Sequence, residues 1–487
     1  MMADKAYCAI YDFELLPYAL GDVLTWNVQT SRLATEAGRN RVDVFICLDP
    51  NRPASIYQRG LVVPENAGLF FNELFGAFGT HPMLGTIHFF WSRDELMDRM
   101  RDIARSDEVN AEVLRNYEEV LTQRENEAEL NAYFIRYIYS HSQLNDFAAK
   151  TGEIPMLVAS RGCEPEVSGL LATVLAGKHI VVIHPRLRRL DAGLGGDHTY
   201  FRDSDFLEWF EFVRRCEIEY PDVQFVVMGR MQEKPLELLR RPNVTTLRAF
   251  GLGLGHELTL MLHADLFIGT SSGFAAMANF CAIPYFVTNM NKESCNAYAI
   301  EEGADRLPFA QPNQFLIYEK ETTGLLLSLL QQGLSSADTD RKLETIERPT
   351  DVDVRDFDRM RTDWLSPHAS TYRFFLDDAY ADQETSFLVW NKVQAAHEDL
   401  EAGRTAEAKT VSKRISKNFP RLASTFPELR DLNAGVTRPL SVRFRDQLRA
   451  RLLSSIDGNI IPMALRGTVV HRIARWLKNR VLGYERL

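Results

Sequence analysis

Two series of short apolar runs, each followed by a stretch of helical periodicity, organise the first two thirds of the chain. The first series opens with a strand over Tyr7–Tyr11 and a turn at Leu20-Gly21-Asp22. A helix is predicted next over Val23–Ala37, because Val23, Trp26, Asn27, Thr30 and Leu33 recur at steps of three or four. Gly38 suits the position just past its end. Val42–Leu48 then reads as a buried strand, completing a βαβ opening of the kind that begins a doubly wound parallel sheet. Thr86–Trp91 reads as a further strand, and Asp94–Gln123 as one charged, solvated helical stretch with Arg/Glu pairs at i,i+3 and i,i+4.

The second series is clearer. Strands are predicted at Ile180–His184, Val223–Gly229, Val244–Leu247, Asp265–Gly269 and Ile283–Thr288. Helices are predicted at Ser204–Glu219 with Ser204 as cap, at Glu257–His263 and at Gly273–Cys281. Strands and helices alternating in this way imply a parallel sheet whose ligands bind at the strands' carboxyl ends. After about Leu334 the pattern changes: residues 385–418 read as a helical hairpin turning at 402–404, similar to one tetratricopeptide unit without a recurring period.

With 487 residues, roughly two to four domains are expected. The apolar share of 45% and charged share of 25% suit a globular protein, with no run long enough for a membrane-spanning helix. The start of the chain lacks the features of a signal peptide, so a cytoplasmic location is expected. Six scattered cysteines form neither a disulfide framework nor a zinc spacing. The net charge of −10 is uneven: Arg438–Leu487 holds eleven Lys/Arg against three Asp/Glu. An acidic body argues against nucleic acid as partner, and the basic end suggests an anionic surface.

Three places can carry chemistry. Asp265–Ala278 runs from a buried strand through Gly269-Thr270-Ser271-Ser272-Gly273 into a helix of small residues. Free N–H groups and hydroxyls there suit a phosphate, with an ordinary capped turn about equally expected. His184-Pro185-Arg186-Leu187-Arg188-Arg189 ends another strand of the same sheet, and Tyr200-Phe201-Arg202-Asp203-Ser204 precedes the next helix. Guanidinium groups there can neutralise a diphosphate, or pair with Asp191, Asp197 and Asp203. Asp22 follows the first strand, where it can act as a proton acceptor or cap the helix.

His184-x-Arg186, Phe201-Arg202-Asp203-Ser204, Val227-Met228-Gly229 and Phe267–Gly273 resemble a bacterial group of GT-B glycosyltransferases, and more loosely the fucosyltransferases. The Gly21-Asp22 turn is similar to that of heptosyltransferases. The resemblance implies an α/β GT-B fold of two facing Rossmann-like domains: residues 1–155 for the acceptor and 156–335 for a nucleotide-sugar donor. A helical region at 336–437 and a basic amphipathic tail at 438–487 follow. It implies a glycosyltransferase moving a sugar from a nucleoside diphosphate to a hydroxyl of a bacterial surface glycan or lipid-linked precursor. Transfer would be inverting, with no metal and no cofactor beyond the nucleotide sugar. Asp22 would be the base; Arg186, Arg188, Arg202, Ser271, Ser272 and Gly273 would hold the diphosphate. His184, Asp203, Gly229 and Thr270 would contact nucleotide or sugar. The alternatives are a nucleotide-sugar 2-epimerase of the same architecture and a non-catalytic sugar-binding or scaffold subunit.

Weaker candidates are Asp351-x-Asp353 as a metal pair, Gly251-Leu252-Gly253-Leu254-Gly255 as a flexible loop rimming the donor pocket, and His256-Glu257, which lacks a second histidine. Over Val469–Leu482 an apolar arc opposes His471, Arg472, Arg475 and Lys478. This basic helix can lie on an anionic membrane at the inner face, or pack back on the protein.

Overall fold

The computed structural model describes residues 5–59, 61–186, 202–229, 234, 236–336, 392–393, 395–419 and 428–435. Arg188, the Asp351-x-Asp353 pair and the basic helix at 469–482 lie outside them. The chain forms two compact units, one of Met1–His184, Tyr220–Gly229 and Thr245–Thr371, the other of Pro185–Glu219, Arg230–Val244 and Tyr372–Leu487.

In the first unit, β1 (Tyr7–Asp12), α1 (Leu20–Glu36), β2 (Val42–Cys47), α2 (Pro64–Phe78) and β3 (Leu84–Phe90) build a parallel sheet of order β1-β2-β3. The helix α1 begins at Leu20, three residues earlier than expected, so Leu20-Gly21-Asp22 is its first turn and not a separate turn. The expected single helix over 94–123 is two, α3 (Arg93–Ala104) and α4 (Glu108–Thr122). Ser106 and Asp107 break it, because the Asp107 carboxylate accepts from the amides of Val109 and Asn110 and starts a new helix. Next come α5 (Glu127–Tyr137), α6 (His141–Thr151) and α7 (Glu164–Ala172).

The second sheet contains β4 (His179–His184), and after α8 (Phe206–Glu219) come β5 (Val223–Val227), α9 (Leu236–Leu239) and β6 (Val244–Thr245). The series continues with α10 (Leu254–Leu262), β7 (Leu266–Thr270), α11 (Gly273–Asn279), β8 (Tyr285–Thr288), α12 (Lys292–Tyr298), β9 (Gln314–Leu316) and α13 (Thr323–Ser336). Its order is β6-β5-β4-β7-β8-β9, and the pairs β4–β5, β4–β7, β7–β8 and β8–β9 are parallel. Counted within the sheet this is the doubly wound order 3-2-1-4-5-6, whose direction of winding reverses between β4 and β7. The α/β class and the two parallel sheets expected from the sequence are therefore present.

Glycines allow helices of the two sheets to meet backbone to backbone. A Cβ on Gly76 of α2 would lie 2.7 Å from the Gly255 Cα of α10, and one on Gly255 would meet the Cys163 thiol at 2.9 Å. This corrects the reading of Gly251–Gly255 as a flexible loop. Gly251 is left-handed (φ 74°) after a 3-10 turn at Leu247–Phe250, Gly253 precedes the helix, and Gly255 lies in its buried first turn. The extended stretch before α7 ties both sheets: Leu157 N–H donates to Phe280 O (2.8 Å), Val158 N–H to Thr80 O (3.0 Å) and Ser160 N–H to Thr259 Oγ1 (3.1 Å).

The second unit is built around α8, whose apolar residues Phe206, Trp209, Phe210 and Val213 are buried. Asp205, not Ser204, caps it: the Asp205 carboxylate accepts from Leu207 N (3.1 Å), while the Ser204 hydroxyl is occupied by Arg186 N (3.2 Å). The hairpin turn falls at left-handed Gly403 (φ 81°), between helical residues 395–401 and α14 (Thr405–Asn418); α15 (Glu428–Ala434) follows. Arg414 of α14 pairs with Glu208 at 2.5 Å, and Phe419 packs on Phe210 with centroids 4.8 Å apart. This helical segment is thus a support for α8.

Two buried histidines make the first unit acid-sensitive. Met83 N–H donates to His81 Nδ1 (3.1 Å), so His81 is neutral with its proton on Nε2, 3.0 Å from Thr30 Oγ1. Burial lowers His81 to about 3 and His141, stacked on Phe280, to about 4. Both folded values lie below the unfolded value, so the unfolded chain binds more protons as pH falls. Their contribution is whole above about pH 6.5 and is lost below it, at about 1.4 kcal/mol per pH unit for each histidine. Denaturant midpoints measured from pH 7 to 4 should fall steeply, and His81→Gln should remove about half of the histidine-dependent slope. An unchanged slope in that variant would contradict a buried neutral His81.

Candidate active site at the winding reversal

The strands β4 and β7 leave the sheet side by side, with His184 paired in register to Gly269. A Cβ on Gly269 would press on His184 O at 3.1 Å and on the Phe267 ring at 2.8 Å, which explains the glycine. The His184 ring is buried, lies 4.7 Å from the Phe274 ring, and places Nδ1 3.1 Å from Met228 O. A carbonyl only accepts, so Nδ1 carries the proton.

The turn from β7 to α11 uses its hydroxyls unequally. Ser272 Oγ accepts from Ala275 N (3.4 Å) and caps α11, and Ser271 Oγ lies 3.3 Å from Tyr298 Oη. Thr270 Oγ1 is buried and has no hydrogen-bond partner among the described residues. The space a Cβ at Gly273 would fill is held by Leu20 Cβ (2.8 Å) and Gly21 N (3.1 Å). Gly273 is therefore small to admit α1, and α1 packs with its first turn against that of α11.

That contact brings two expected site elements together. Asp22 is half-buried in the first turn of α1, one residue beyond the Gly21–Gly273 crossing. It does not cap the helix: the cap position is Ala19, and an acidic group three residues on is favoured by the helix dipole. Its carboxylate adds to the burial that raises the Tyr11 phenol.

The loop that leads into α1 and Asp22 is fixed by a buried ion network at the end of β1. Arg93 meets both Asp12 oxygens at 2.8 Å, and reaches Glu14 and Asp49 at 2.9 Å. Tyr117 Oη donates to Asp12 Oδ2 (2.7 Å), and Arg52 and Arg124 reach Glu14 at 2.6 and 2.8 Å. Leu16 N–H returns to Asp12 O (2.7 Å), and Tyr11 Oη donates to Pro17 O (2.6 Å).

Gly229, left-handed at φ 101°, donates its N–H to buried Glu257 (3.1 Å), whose other oxygen lies 2.8 Å from Arg248. Burial lifts the Glu257 carboxyl above the ordinary carboxylate range, with Arg248 opposing. In the second unit, Arg186 exchanges backbone bonds with Ser204 and lies 3.5 Å from Asp203, while Lys234, itself buried, donates to Pro185 O (2.8 Å). Arg202 is half-buried.

No protein-family model and no curated protein matches the chain. Solved structures that align over 69% of it include E. coli ADP-heptose LPS heptosyltransferase II, at 13% identity, TM-score 0.42 and 100% of that chain. A protein described as UDP-N-acetylglucosamine 2-epimerase from Listeria monocytogenes aligns at 11% identity, TM-score 0.33 and 89% of that chain. A glycosyl transferase family 9 protein from Veillonella parvula aligns at 9% identity, TM-score 0.32 and 99% of that chain.

The structure thus sets the first turn of α1, which contains Asp22, against Gly273, and pairs His184 with Gly269 on the neighbouring strand. It places Arg186, Arg202 and Asp203 in the second unit. Sequence reading missed the Arg93–Asp12 network and the Arg248–Glu257 pair. Charged residues separated by 81 and 9 positions leave no periodic signal, and only a buried charge shows their partnership.

Proposed function

We propose that the chain is a glycosyltransferase that moves a sugar from a nucleoside diphosphate to a hydroxyl acceptor. The observation that carries this reading is the packing of the first turn of α1, with Asp22, against the β7–α11 turn at the winding reversal. A carboxylate from one sheet's helix there adjoins the crevice where doubly wound sheets bind their ligands. In the proposed reaction the acceptor oxygen attacks the anomeric carbon, its proton passes to Asp22, and the bond to the diphosphate breaks with inversion. Thr270 Oγ1 would donate to the donor, and Arg186 and Arg202 would balance the charge of the departing diphosphate. Within the second unit Arg186 lies 3.5 Å from Asp203. The leaving group then needs no metal. The acceptor fits a bacterial surface glycan or its lipid-linked precursor, used at the inner face of a membrane. Among the described residues no helix is long and apolar enough to cross one.

A thermal-shift screen of UDP, GDP, ADP, CMP and TDP tests the donor site. One nucleotide at about a hundred times its dissociation constant should stabilise the wild type by about 2.7 kcal/mol. Arg186→Ala should lose that shift. No response to any nucleotide would remove the nucleotide-sugar reading and leave a non-catalytic scaffold. Epimerised nucleotide sugar as the product, without transfer, would replace it with an epimerase.

A further inference from the structure

The two sheets of the first unit are linked by a short run of chain that is bonded to both. Leu157 N–H donates to Phe280 O just past α11, Val158 N–H to Thr80 O just past α2, and Ser160 N–H to Thr259 Oγ1 on α10. Within four residues the bonds alternate between the second sheet's elements and the first's, and Leu157, Val158 and Ser160 are all buried. A Cβ on Gly79, at the end of α2, would lie 2.7 Å from Ser160 Oγ, so this run also presses on the first sheet's backbone. A hinge needs residues whose φ and ψ are free to change, and these are held from both sides.

Two helix crossings close the same boundary. The helix α2 meets α10 at Gly76 and Gly255, and the first turn of α1 meets α11 at Gly273, with no room for a methyl group at any of the three. A further tie comes from α6, where the Asn145 side-chain amide donates to the carbonyls of Tyr298 (3.3 Å) and Ala299 (3.2 Å) at the end of α12. Around these contacts the apolar side chains form one core: Trp26 and Phe78 from the first sheet's helices share a buried cluster with Leu258 and Met277 from the second's. Domains that move against each other meet through modest, rather polar interfaces. Here main chains touch, and turning one sheet on the other would either open a void or drive backbones together.

We propose that the two sheets form one rigid, singly cooperative body with no hinge between them. The first turn of α1 is then set against Gly273 before any ligand arrives, and binding at the second sheet needs no closure of one sheet on the other. The inference does not depend on what that ligand is.

Hydrogen exchange of the full chain in rising urea, read by mass spectrometry, tests this. Peptides from β1 and β2 and peptides from β7 and β8 should lose protection at one common midpoint, together with the peptide spanning 157–160. Two independent sheets of equal stability would give that result by coincidence, so a change confined to each sheet is added. Val44→Ala in β2 should lower the midpoints of both sheets by the same amount, and so should Ile268→Val in β7; both side chains are fully buried. Ile268→Val removes a single methyl group and leaves a folded protein on which the same comparison can be made. A shift confined to the sheet that carries the substitution would overturn the proposal. So would exchange of the 157–160 peptide at urea concentrations where both sheets remain protected, because that run would then be opening as a hinge does.

Discussion

Asp22→Asn should lower kcat by about a thousandfold, within the range that a positioned general base supplies, with little change in donor affinity. The carboxylate is half-buried in the first turn of α1, at the crossing with Gly273, where an acceptor hydroxyl can be presented to it. Asparagine keeps the shape and the hydrogen-bonding oxygen and removes the basicity, so the loss reports proton acceptance. The same change removes a negative charge from a helix N-terminus, which costs about 0.3–1 kcal/mol of stability. That is too little to unfold the unit. A steady-state assay of transfer and a melting curve together separate the two roles. Should kcat stay within tenfold of wild type while stability drops, Asp22 serves the helix dipole and another group is the base.

Much of this arrangement is legible in the sequence, for physical reasons. The strands β4, β5, β7 and β8 are buried in continuous apolar runs such as Ile180-Val181-Val182-Ile183, so periodicity and burial point the same way. The β7–α11 turn is marked by its small and hydroxyl residues, and the doubly wound order then fixes where ligands gather. Other features are set by partners distant in the chain. Gly273 has the composition of a phosphate turn, yet the space a Cβ would fill there is held by Leu20 and Gly21 of α1. Gly255 reads as a loop residue, yet it is where α10 crosses Gly76 of α2. In both cases a glycine is chosen by a neighbour's proximity and not by local backbone freedom. Ser272 and Ser271 have the composition of a phosphate turn, while their hydroxyls serve the helix cap and Tyr298. Composition could not tell these uses apart; the partner's position does. The helix α2 has the pattern of a packed helix, since its buried Ala67, Phe71, Phe75 and Phe78 recur at steps of three or four.

Replacing Arg93 by Met should be the most destabilising single change at the site's support, costing about 3–5 kcal/mol. Arg93 is the shared partner of Asp12, Glu14 and Asp49, and the first two carboxylates are almost wholly shielded from solvent. Its removal leaves two buried negative charges facing each other, with Arg52 and Arg124 beside Glu14 and the Tyr117 hydroxyl and Glu14 N–H on Asp12. Neutralising one of those charges should return part of the loss, so Asp12→Asn combined with Arg93→Met should be more stable than the sum of the single changes predicts. Urea denaturation followed by the fluorescence of tryptophan, with Trp26 buried on α1, reads this directly. Additive single changes would mean that the Arg93–Asp12 pair contributes no coupling, whatever its geometry. The network also predicts the direction of the catalytic effect. It anchors the end of β1, and the loop from Asp12 to Pro17 delivers α1 and Asp22 to the crossing with Gly273. A milder variant, Tyr117→Phe, removes only the hydroxyl on Asp12 and should keep the fold. On the proposed mechanism it should lower kcat more than it raises the donor KM, because Asp22 would act on the acceptor side of the reaction.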